Sequence, residues 1–375
     1  MILVIGCGES KPAGGGGSGG ADGSAINQPT DDGGTADGGA ADGDAAAETA
    51  GGSGPLTATA RQWTWFDFPD STCDDGSPTG IAVNPGDADK LLIFLNGGGA
   101  CWDAVTCFVV SSSTHGPFGQ AQWNATAPTL NVGIFDRSSP TNPFRDYGFV
   151  FVPYCTGDLH AGNNVAIYDY LGQQRPFHHK GAANIAAYMT RIGPTWAQAS
   201  KVAVTGSSAG GFGALMNYAS IRARFPDASV LLIDDAGPPL EAGAIPDDQR
   251  AAWYSSWHIG DLVDPQCPDC RNDPSTLTTA VAGKFPGDRM ALLSSTQDAV
   301  ISRYFKLTGA AFETDLNALK TDRLDPLPNF RTFFVTGQTH TFLGHSNTTM
   351  TGGTTLEAWL GQMASGDAAW MSVGP

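Results

Sequence analysis

One segment, residues 201–216, constrains the fold of this chain more than any other. It consists of a short apolar run, then glycines around Ser208, then a helix-forming stretch. Gly206 and Gly210 flank Ser208 in a Gly-x-Ser-x-Gly pattern, which lets the backbone turn sharply from a strand into a helix and holds the serine hydroxyl above a sheet. The pattern predicts a nucleophilic Ser208. The alternative is a packed serine in a tight turn, a role for which Ser207 is better suited.

The chain around this segment alternates short apolar runs with helical patterns, as βαβ units do. The apolar runs are continuous, as expected for strands that are buried on both faces of a parallel sheet. Strands are predicted at 91–95, 149–153, 202–205, 230–233, 290–294 and 332–335, and helices at 182–192, 209–225 and 356–363. The pattern predicts an α/β-hydrolase-like fold, with a mostly parallel central sheet and helices on both faces.

Three long connections follow predicted strands and carry unusual residues. They span 97–107, 155–172 and 236–272, and the last contains Trp253 and Trp257. In an open α/β sheet the site lies outside the carboxyl ends of the strands. We therefore expect these three loops to build it.

A serine hydroxyl needs a base, and in α/β-hydrolases the residues follow the order serine, acid, histidine. The last strong strand, 332–335, is followed by His340 and His345. His340 lies closer to the strand end and in a turn-like stretch, so we favour His340 as the base. We expect His345 to be a loop or substrate-side residue.

The acid is expected after the strand that precedes the histidine loop. Asp298 follows the run 290–294 and is the favoured candidate. Asp234 and Asp235 end the strand before that and remain the alternative position. Their other interpretation is a structural pair that caps the loop after the strand.

An ester carbonyl also needs backbone donors for the oxyanion, one after the nucleophile and others from an early loop. The strand 91–95 runs into three consecutive glycines, and residues without a Cβ allow the chain to turn its amides inward at close range. We expect the donors to be Gly98, Gly99 and Ala209. The alternative for the glycines is an ordinary Gly-rich turn.

Neither a cofactor nor nucleic acid is indicated. The other histidines have no spacing that specifies a metal; they are His115, His160, His178, His179 and His258. The chain has 20 Lys and Arg against 37 Asp and Glu, a net charge of -17. Binding to phosphates requires basic surface, so nucleic acid is excluded as a partner.

Residues 1–54 differ from the rest of the chain. They contain 17 of the 49 glycines, eight acidic residues, one lysine and no aromatic residue. Such a segment cannot bury enough apolar area to fold, so we expect a disordered tether in front of one catalytic domain at 55–375. Val4-Ile5-Gly6-Cys7 resembles a bacterial lipobox, which implies a lipid anchor at Cys7 and export; the alternative is an unmodified cysteine.

The cysteines after Cys7 are even in number, as expected for a disulfide framework in an exported protein. Close spacing favours the pairs Cys101–Cys107 and Cys267–Cys270, which leaves Cys73 with Cys155. A redox or zinc site at 267–270 is the alternative.

Several of these stretches together resemble the pectin acetylesterase and Notum family of serine esterases. The resemblance covers about residues 61–345, and its motifs are Cys-Asp-Asp-Gly-Ser-Pro at 73–78, the Gly-rich loop 97–107, Val-Pro-Tyr-Cys-Thr-Gly-Asp at 152–158, the turn 205–211, Asp-Ala-Gly at 235–237 and Gln-Thr-His at 338–340. The resemblance implies a triad and an oxyanion hole at the positions already named, namely Ser208, Asp298 and His340 with Gly98, Gly99 and Ala209.

The chain departs from this family at positions expected to border the acyl pocket. Asn96 and Ala100 stand where the family often has an acid and a Trp, and Pro238-Pro239 stand where aromatic residues are common. We therefore expect a serine ester hydrolase whose first candidate substrate is an acetylated extracellular polysaccharide such as pectin. The alternatives are a lipase or deacylase for longer acyl chains and a surface binding module without turnover.

Overall fold

The computed structural model describes residues 54–87 and 89–375. The expected tether and the lipobox-like start with Cys7 lie outside these residues, apart from Gly54. None of the helices in the described part of the chain combines the length and apolar character needed to cross a bilayer.

The described residues form twelve strands. Eight of them make one central sheet, and the other four make two antiparallel pairs. The strands of the described chain are β1 (Thr64–Thr72), β2 (Pro78–Asn84), β3 (Lys90–Leu95), β4 (Gly148–Val152), β5 (Asn164–Tyr170), β6 (Gln173–His179), β7 (Lys201–Ser207), β8 (Ser229–Asp235), β9 (Arg289–Ser295), β10 (Phe330–Val335), β11 (Met350–Thr351) and β12 (Thr354–Thr355). The central sheet has the order β1-β2-β4-β3-β7-β8-β9-β10, and the two antiparallel pairs are β5 with β6 and β11 with β12. Its strands are parallel from β4 to β10, whereas β2 is antiparallel to both β1 and β4.

Helices cover both faces of this sheet. They are α1 (Gln120–Thr126), α2 (Gly181–Thr195), α3 (Ala209–Arg222), α4 (Asp247–Ser256), α5 (Gly260–Val263), α6 (Thr276–Lys284), α7 (Ala299–Tyr304), α8 (Gly309–Leu319) and α9 (Leu356–Ser365). Alternate residues of a strand face opposite sides, and β3 shows this directly. Leu91, Ile93 and Leu95 pack with residues of α2, α3 and α6, while Leu92 and Phe94 pack with residues of α1 and α9. The α/β-hydrolase-like fold expected from the sequence is confirmed.

All six predicted strands and all three predicted helices are present, with shifts at their ends. The largest shifts, of three residues, are at the end of α2, which extends to Thr195 rather than residue 192, and at the end of α3, which stops at Arg222 rather than residue 225. Single-turn hydrogen bonds from Arg224 to Ile221 and from Phe225 to Arg222 replace the last helical turn before Pro226.

Two of the connections that we expected to be loops contain regular structure. Residues 155–172 include β5, which pairs with β6 in a hairpin, and residues 236–272 include α4 and α5. The loop interpretation was wrong there because these elements lack the continuous apolar runs used to identify buried elements. Strand β5 alternates exposed and more buried positions, and only Gln249 and Trp253 are buried in α4.

The three expected disulfides are formed. They join Cys73 to Cys155, Cys101 to Cys107 and Cys267 to Cys270, with S–S distances of 2.04, 2.15 and 1.98 Å. The described part of the chain holds no group of three or more His, Cys, Asp or Glu arranged to bind a metal ion. The pairing therefore accounts for Cys267 and Cys270 without a zinc site.

Candidate active site

Ser208 occupies the sharp turn between β7 and α3. Its backbone has φ 59° and ψ −121°, a conformation that side-chain-bearing residues rarely adopt. The turn is held by a hydrogen bond from the Ser208 amide to the Asp235 carbonyl at 2.7 Å and by one from the Gly211 amide to the Ser208 carbonyl at 2.9 Å. The strained conformation is therefore fixed by the neighbouring strand and by the first turn of the helix.

The two glycines of the Gly-x-Ser-x-Gly pattern are required by space. A Cβ on Gly206 would overlap the carbonyl of Gly210, and a Cβ on Gly210 would overlap the carbonyl of Leu95. The end of β3 thus passes directly over the turn. The same strand continues into the Gly-rich loop, which brings that loop to Ser208.

Asp298 and His340 form a buried pair. Asp298 caps the N-terminus of α7, where its Oδ1 accepts hydrogen bonds from the amides of Val300 and Ile301, each at 2.9 Å. Its Oδ2 lies 2.7 Å from His340 Nδ1, and the two side chains are 0% and 7% exposed. A carboxylate can only accept, so His340 donates from Nδ1, and Nε2 of the neutral ring carries the lone pair.

The lone pair of His340 has no partner in the described chain. Nε2 is buried without a hydrogen bond, and no described residue forms a hydrogen bond with the Ser208 hydroxyl. Catalytic hydrogen bonds often form only when substrate is bound. The arrangement leaves the Ser208 hydroxyl and His340 Nε2 without a partner among the described residues, and so available to a third group.

The alternative acids have other partners. Asp235 accepts from the Ser207 hydroxyl at 2.6 Å and from the amides of Phe342 and Leu343 at 2.9 to 3.1 Å. Burial raises the pKa of Asp235, and these hydrogen bonds and the nearby His340 oppose that shift. Its carboxylate therefore ties the loop that carries His340 to the residue before Ser208.

Asp234 and His345 make no such connection. Asp234 accepts a hydrogen bond from the Gly237 amide at 2.8 Å, and burial raises the pKa of this carboxyl well above its usual range. His345 is exposed. The structure brings Asp298 together with His340, and neither of these two residues contacts that pair through a hydrogen bond.

The Gly-rich loop lies against Ser208. A Cβ on Gly97 would lie 3.1 Å from the Ser208 Cβ, and one on Gly98 would lie 2.5 Å from Thr114 Oγ1. The loop pairs with a neighbouring segment through Thr114 N to Gly98 O at 2.6 Å and Ala100 N to Ser112 O at 3.2 Å. Since alternate amides of such a pair face opposite ways, the Gly99 amide points away from that segment.

These amides remain available. No described residue accepts a hydrogen bond from the amides of Gly98 and Gly99. Ala209 is the first residue of α3, where the helix has no intrahelical acceptor for its amide. The three expected oxyanion donors thus lie on the two segments that meet at Ser208.

A cavity of about 360 Å³ opens beside Ser208 and Ala209. Its other walls are mostly apolar: Gly99, Ala100, Trp102, Leu159, Phe212, Gln249, Trp253, Ile301, Tyr304 and Phe305. All three predicted connections contribute, as expected. The wall from α7, which includes Ile301 and Tyr304, was not predicted, although its position directly after Asp298 was a usable signal.

A second apolar cavity of about 530 Å³ lies behind the first. Phe212 and Trp253 line both cavities, so these two aromatic rings form the partition between them. Of the positions that we expected to border the acyl pocket, Ala100 lines the first cavity and Pro239 lines the second. Asn96 lines neither of these two cavities.

Comparison with known proteins identifies related chains. A model of the pectinacetylesterase family matches residues 66–264. Palmitoleoyl-protein carboxylesterase NOTUM from Schmidtea mediterranea is 30% identical over 175 residues, which cover 44% of this chain and 32% of that protein. The Homo sapiens protein of the same name is 28% identical over 149 residues, covering 39% of this chain and 29% of that protein. The chain therefore spans about a third of the length of these relatives.

A solved structure shares the fold. The Wnt deacylase Notum from Drosophila superimposes with a TM-score of 0.59 at 16% sequence identity, covering 84% of this chain and 96% of that chain. The likeness extends well beyond the stretch matched by sequence. It supports the assignment of the central sheet and its helices.

Proposed function

The chain belongs to the pectinacetylesterase family, and on this premise we propose that it is a serine carboxylic-ester hydrolase that removes acetyl groups from an extracellular polysaccharide. The observation that supports this most is the strained Ser208 at the mouth of an apolar cavity, on the same sheet edge as a buried Asp298–His340 pair with an unpartnered Nε2. Each part alone has a structural explanation. Together they supply a nucleophile, a base and room for an acyl group.

The proposed reaction runs through an acyl-enzyme. His340 Nε2 takes the proton of the Ser208 hydroxyl as its oxygen attacks the ester carbonyl carbon, and Asp298 orients the ring and stabilises the imidazolium. The amides of Gly98, Gly99 and Ala209 bind the oxyanion. The imidazolium then protonates the leaving alcohol, and water repeats the cycle to release the acid.

A deacylase for longer acyl chains is the second candidate. It is supported by the second apolar cavity, which shares Phe212 and Trp253 with the first and into which a longer chain would extend if those rings moved. The relatives named palmitoleoyl-protein carboxylesterases point the same way. Rates of hydrolysis measured on p-nitrophenyl esters from acetyl to palmitoyl distinguish the two candidates. If Phe212 and Trp253 stay in place between the cavities, the rate should fall steeply once the acyl chain is longer than the first cavity.

The test of the mechanism is Ser208→Ala in the full chain. We expect hydrolysis of p-nitrophenyl acetate to fall by at least about 10³-fold, because the nucleophile is lost. A fluorophosphonate probe should label the wild type and not the variant, and Ser365→Ala at the exposed end of α9 serves as the control. Unchanged hydrolysis would contradict the Ser208 mechanism. A wild type that the probe does not label but that binds polysaccharide would instead indicate a binding module.

We also propose export and anchoring. Three disulfides suit an oxidising compartment, and residues 1–54 would tether the domain at 55–375 to a lipid on Cys7. Mass spectrometry of the mature protein from its native cells tests the anchor. An unmodified Cys7 would contradict it.

A further inference from the structure

A second aspartate–histidine pair lies outside the proposed triad. His115 Nδ1 is 2.5 Å from Asp74 Oδ2, and Asp74 Oδ1 accepts a hydrogen bond from the Gly116 amide, also at 2.5 Å. The Asp74 side chain is 6% exposed and that of His115 is 29% exposed. The carboxylate thus fixes the imidazole at one nitrogen, as Asp298 fixes His340.

The other nitrogen of His115 lacks a partner. Nε2 is buried and forms no hydrogen bond with any described residue. Because Nδ1 donates to the carboxylate, Nε2 of the neutral ring carries a lone pair. A buried acceptor without a donor is costly, and a hydroxyl group from a ligand would satisfy it.

His115 is one of the residues that line a cavity of about 970 Å³. The walls combine aromatic and aliphatic side chains with small polar ones: Asn96, Gly97, Thr114, Pro117, Phe118, Gln122, Ala125, Thr126, Thr129, Leu130, Phe151 and Tyr154. Among these described lining residues there is no Lys or Arg, and the His115 ring is already paired with the Asp74 carboxylate. The lining therefore suits an uncharged group that has apolar faces and hydroxyls, whereas a carboxylate would enter without a cation to bind.

The position of this cavity connects it with the proposed reaction. Gly97 lines the cavity and also lies against Ser208, with a Cβ position 3.1 Å from the Ser208 Cβ. Gly99 and Ala100, at the other end of the same loop, line the apolar cavity. An ester bound at Ser208 would thus have an apolar cavity at one end of the loop and a cavity of mixed apolar and polar lining at the other.

We propose that the cavity lined by His115 takes the alcohol part of the substrate, and that this part is a neutral sugar unit rather than a uronate. A sugar hydroxyl donates its hydrogen bond to His115 Nε2, and the aromatic walls contact the apolar faces of the ring. This inference rests on the proposed esterase function, because it assigns the leaving-group side of that site. It narrows the substrate to acetylated neutral polysaccharide.

The test uses His115→Asn, which retains an N–H that can donate to Asp74 and removes Nε2. We expect kcat/KM for an acetylated xylo-oligosaccharide to fall about tenfold more than kcat/KM for p-nitrophenyl acetate, mainly through KM. The wild type should prefer the acetylated xylo-oligosaccharide over an acetylated oligogalacturonate by about tenfold. His258→Asn, at an exposed histidine that lines neither cavity, is the matched control.

Equal losses on all substrates, or no loss, would overturn the role of His115, and a preference for the oligogalacturonate would overturn the neutral-sugar assignment. Calorimetry of xylotriose binding to Ser208→Ala tests the subsite without any turnover. Binding that is lost on adding His115→Asn would support the subsite even if the esterase mechanism failed. Absence of xylotriose binding to Ser208→Ala would overturn the subsite even if the esterase mechanism held.

Discussion

The buried histidines between β4 and α2 have different hydrogen-bond partners from the histidines of the two aspartate–histidine pairs. In the segment, His160 binds the Asn96 carbonyl through Nε2 at 2.9 Å, and His179 binds the Thr156 carbonyl through Nδ1 at 3.0 Å. Burial lowers the pKa of His160 to about 4 and that of His179 to about 3. These two rings are held neutral and serve the fold.

The rings of His340 and His115 bind a carboxylate, and Nε2 of each ring has no hydrogen-bond partner among the described residues. A carboxylate stabilises the imidazolium that a base becomes, whereas a carbonyl in a buried site does so much less. The partner of the bound ring nitrogen distinguishes the proposed base His340 and the proposed ligand-binding His115 from the two structural histidines. Burial alone does not, because both classes are largely buried.

The largest effect is expected for Asp298→Asn. Asn still caps α7, so the helix should be retained, but the amide cannot stabilise an imidazolium or fix the same tautomer. We expect kcat on p-nitrophenyl acetate and on acetylated xylo-oligosaccharide to fall by about 10³- to 10⁴-fold alike. Steady-state kinetics with a matched thermal melt measures this, and a loss below about tenfold would place His340 among the structural histidines.

A smaller effect is expected at His160. Its folded pKa, about 4, lies below the 6.5 of an exposed histidine, so the unfolded chain binds a proton first as the pH falls. Stability is therefore lost between about pH 6.5 and pH 4. His160→Gln keeps an N–H for the Asn96 carbonyl and cannot be protonated there.

Urea unfolding of the wild type and His160→Gln at pH 7 and pH 5 measures this difference. Relative to the variant, the wild type should lose roughly 2 kcal/mol between the two pH values. Asp158 acts in the opposite direction, because burial raises its pKa to about 6 and its contribution is lost as the pH rises through that value. Asp158 is present in both proteins, so its contribution cancels in the comparison. If the free energy of unfolding fell equally with pH in the wild type and in His160→Gln, His160 would not be held neutral.

The smallest effect is expected for Asp74→Asn, the same substitution at the second pair. It loosens the orientation of His115 while leaving Asp298 and His340 in place. We expect an increase in KM of about tenfold for acetylated xylo-oligosaccharide, with a smaller effect on p-nitrophenyl acetate. If Asp74→Asn instead lowered kcat on both substrates as Asp298→Asn does, the two pairs would belong to one catalytic unit.

The parallel strands of the central sheet were accessible from the sequence, and the antiparallel strands β1 and β2 were not. Strands β3, β4 and β7 to β10 are continuous apolar runs because both of their faces are covered. Strand β1 alternates buried and exposed residues and contains Pro69, as an edge strand can. Its pattern is too weak to identify without the partner strand.

Much of the candidate site also followed from chain order, since the Gly-x-Ser-x-Gly turn indicated where an acid and a histidine should come. The Asp74–His115 pair could not be predicted, because its members lie 41 residues apart and neither belongs to a motif that specifies a contact. The role of Asp235 was equally inaccessible. Its partners, Ser207 and the amides of Phe342 and Leu343, meet only when β8 is in place between β7 and β9.

The Asp235 carboxylate has a mechanical consequence for the site. It bonds at once to the residue before Ser208 and to the backbone just after His340, from a fully buried position at the end of a central strand. The two segments therefore move together, and the central sheet holds the distance between Ser208 and His340. The surrounding loops can then change in length and composition while the relative position of Ser208 and His340 is preserved.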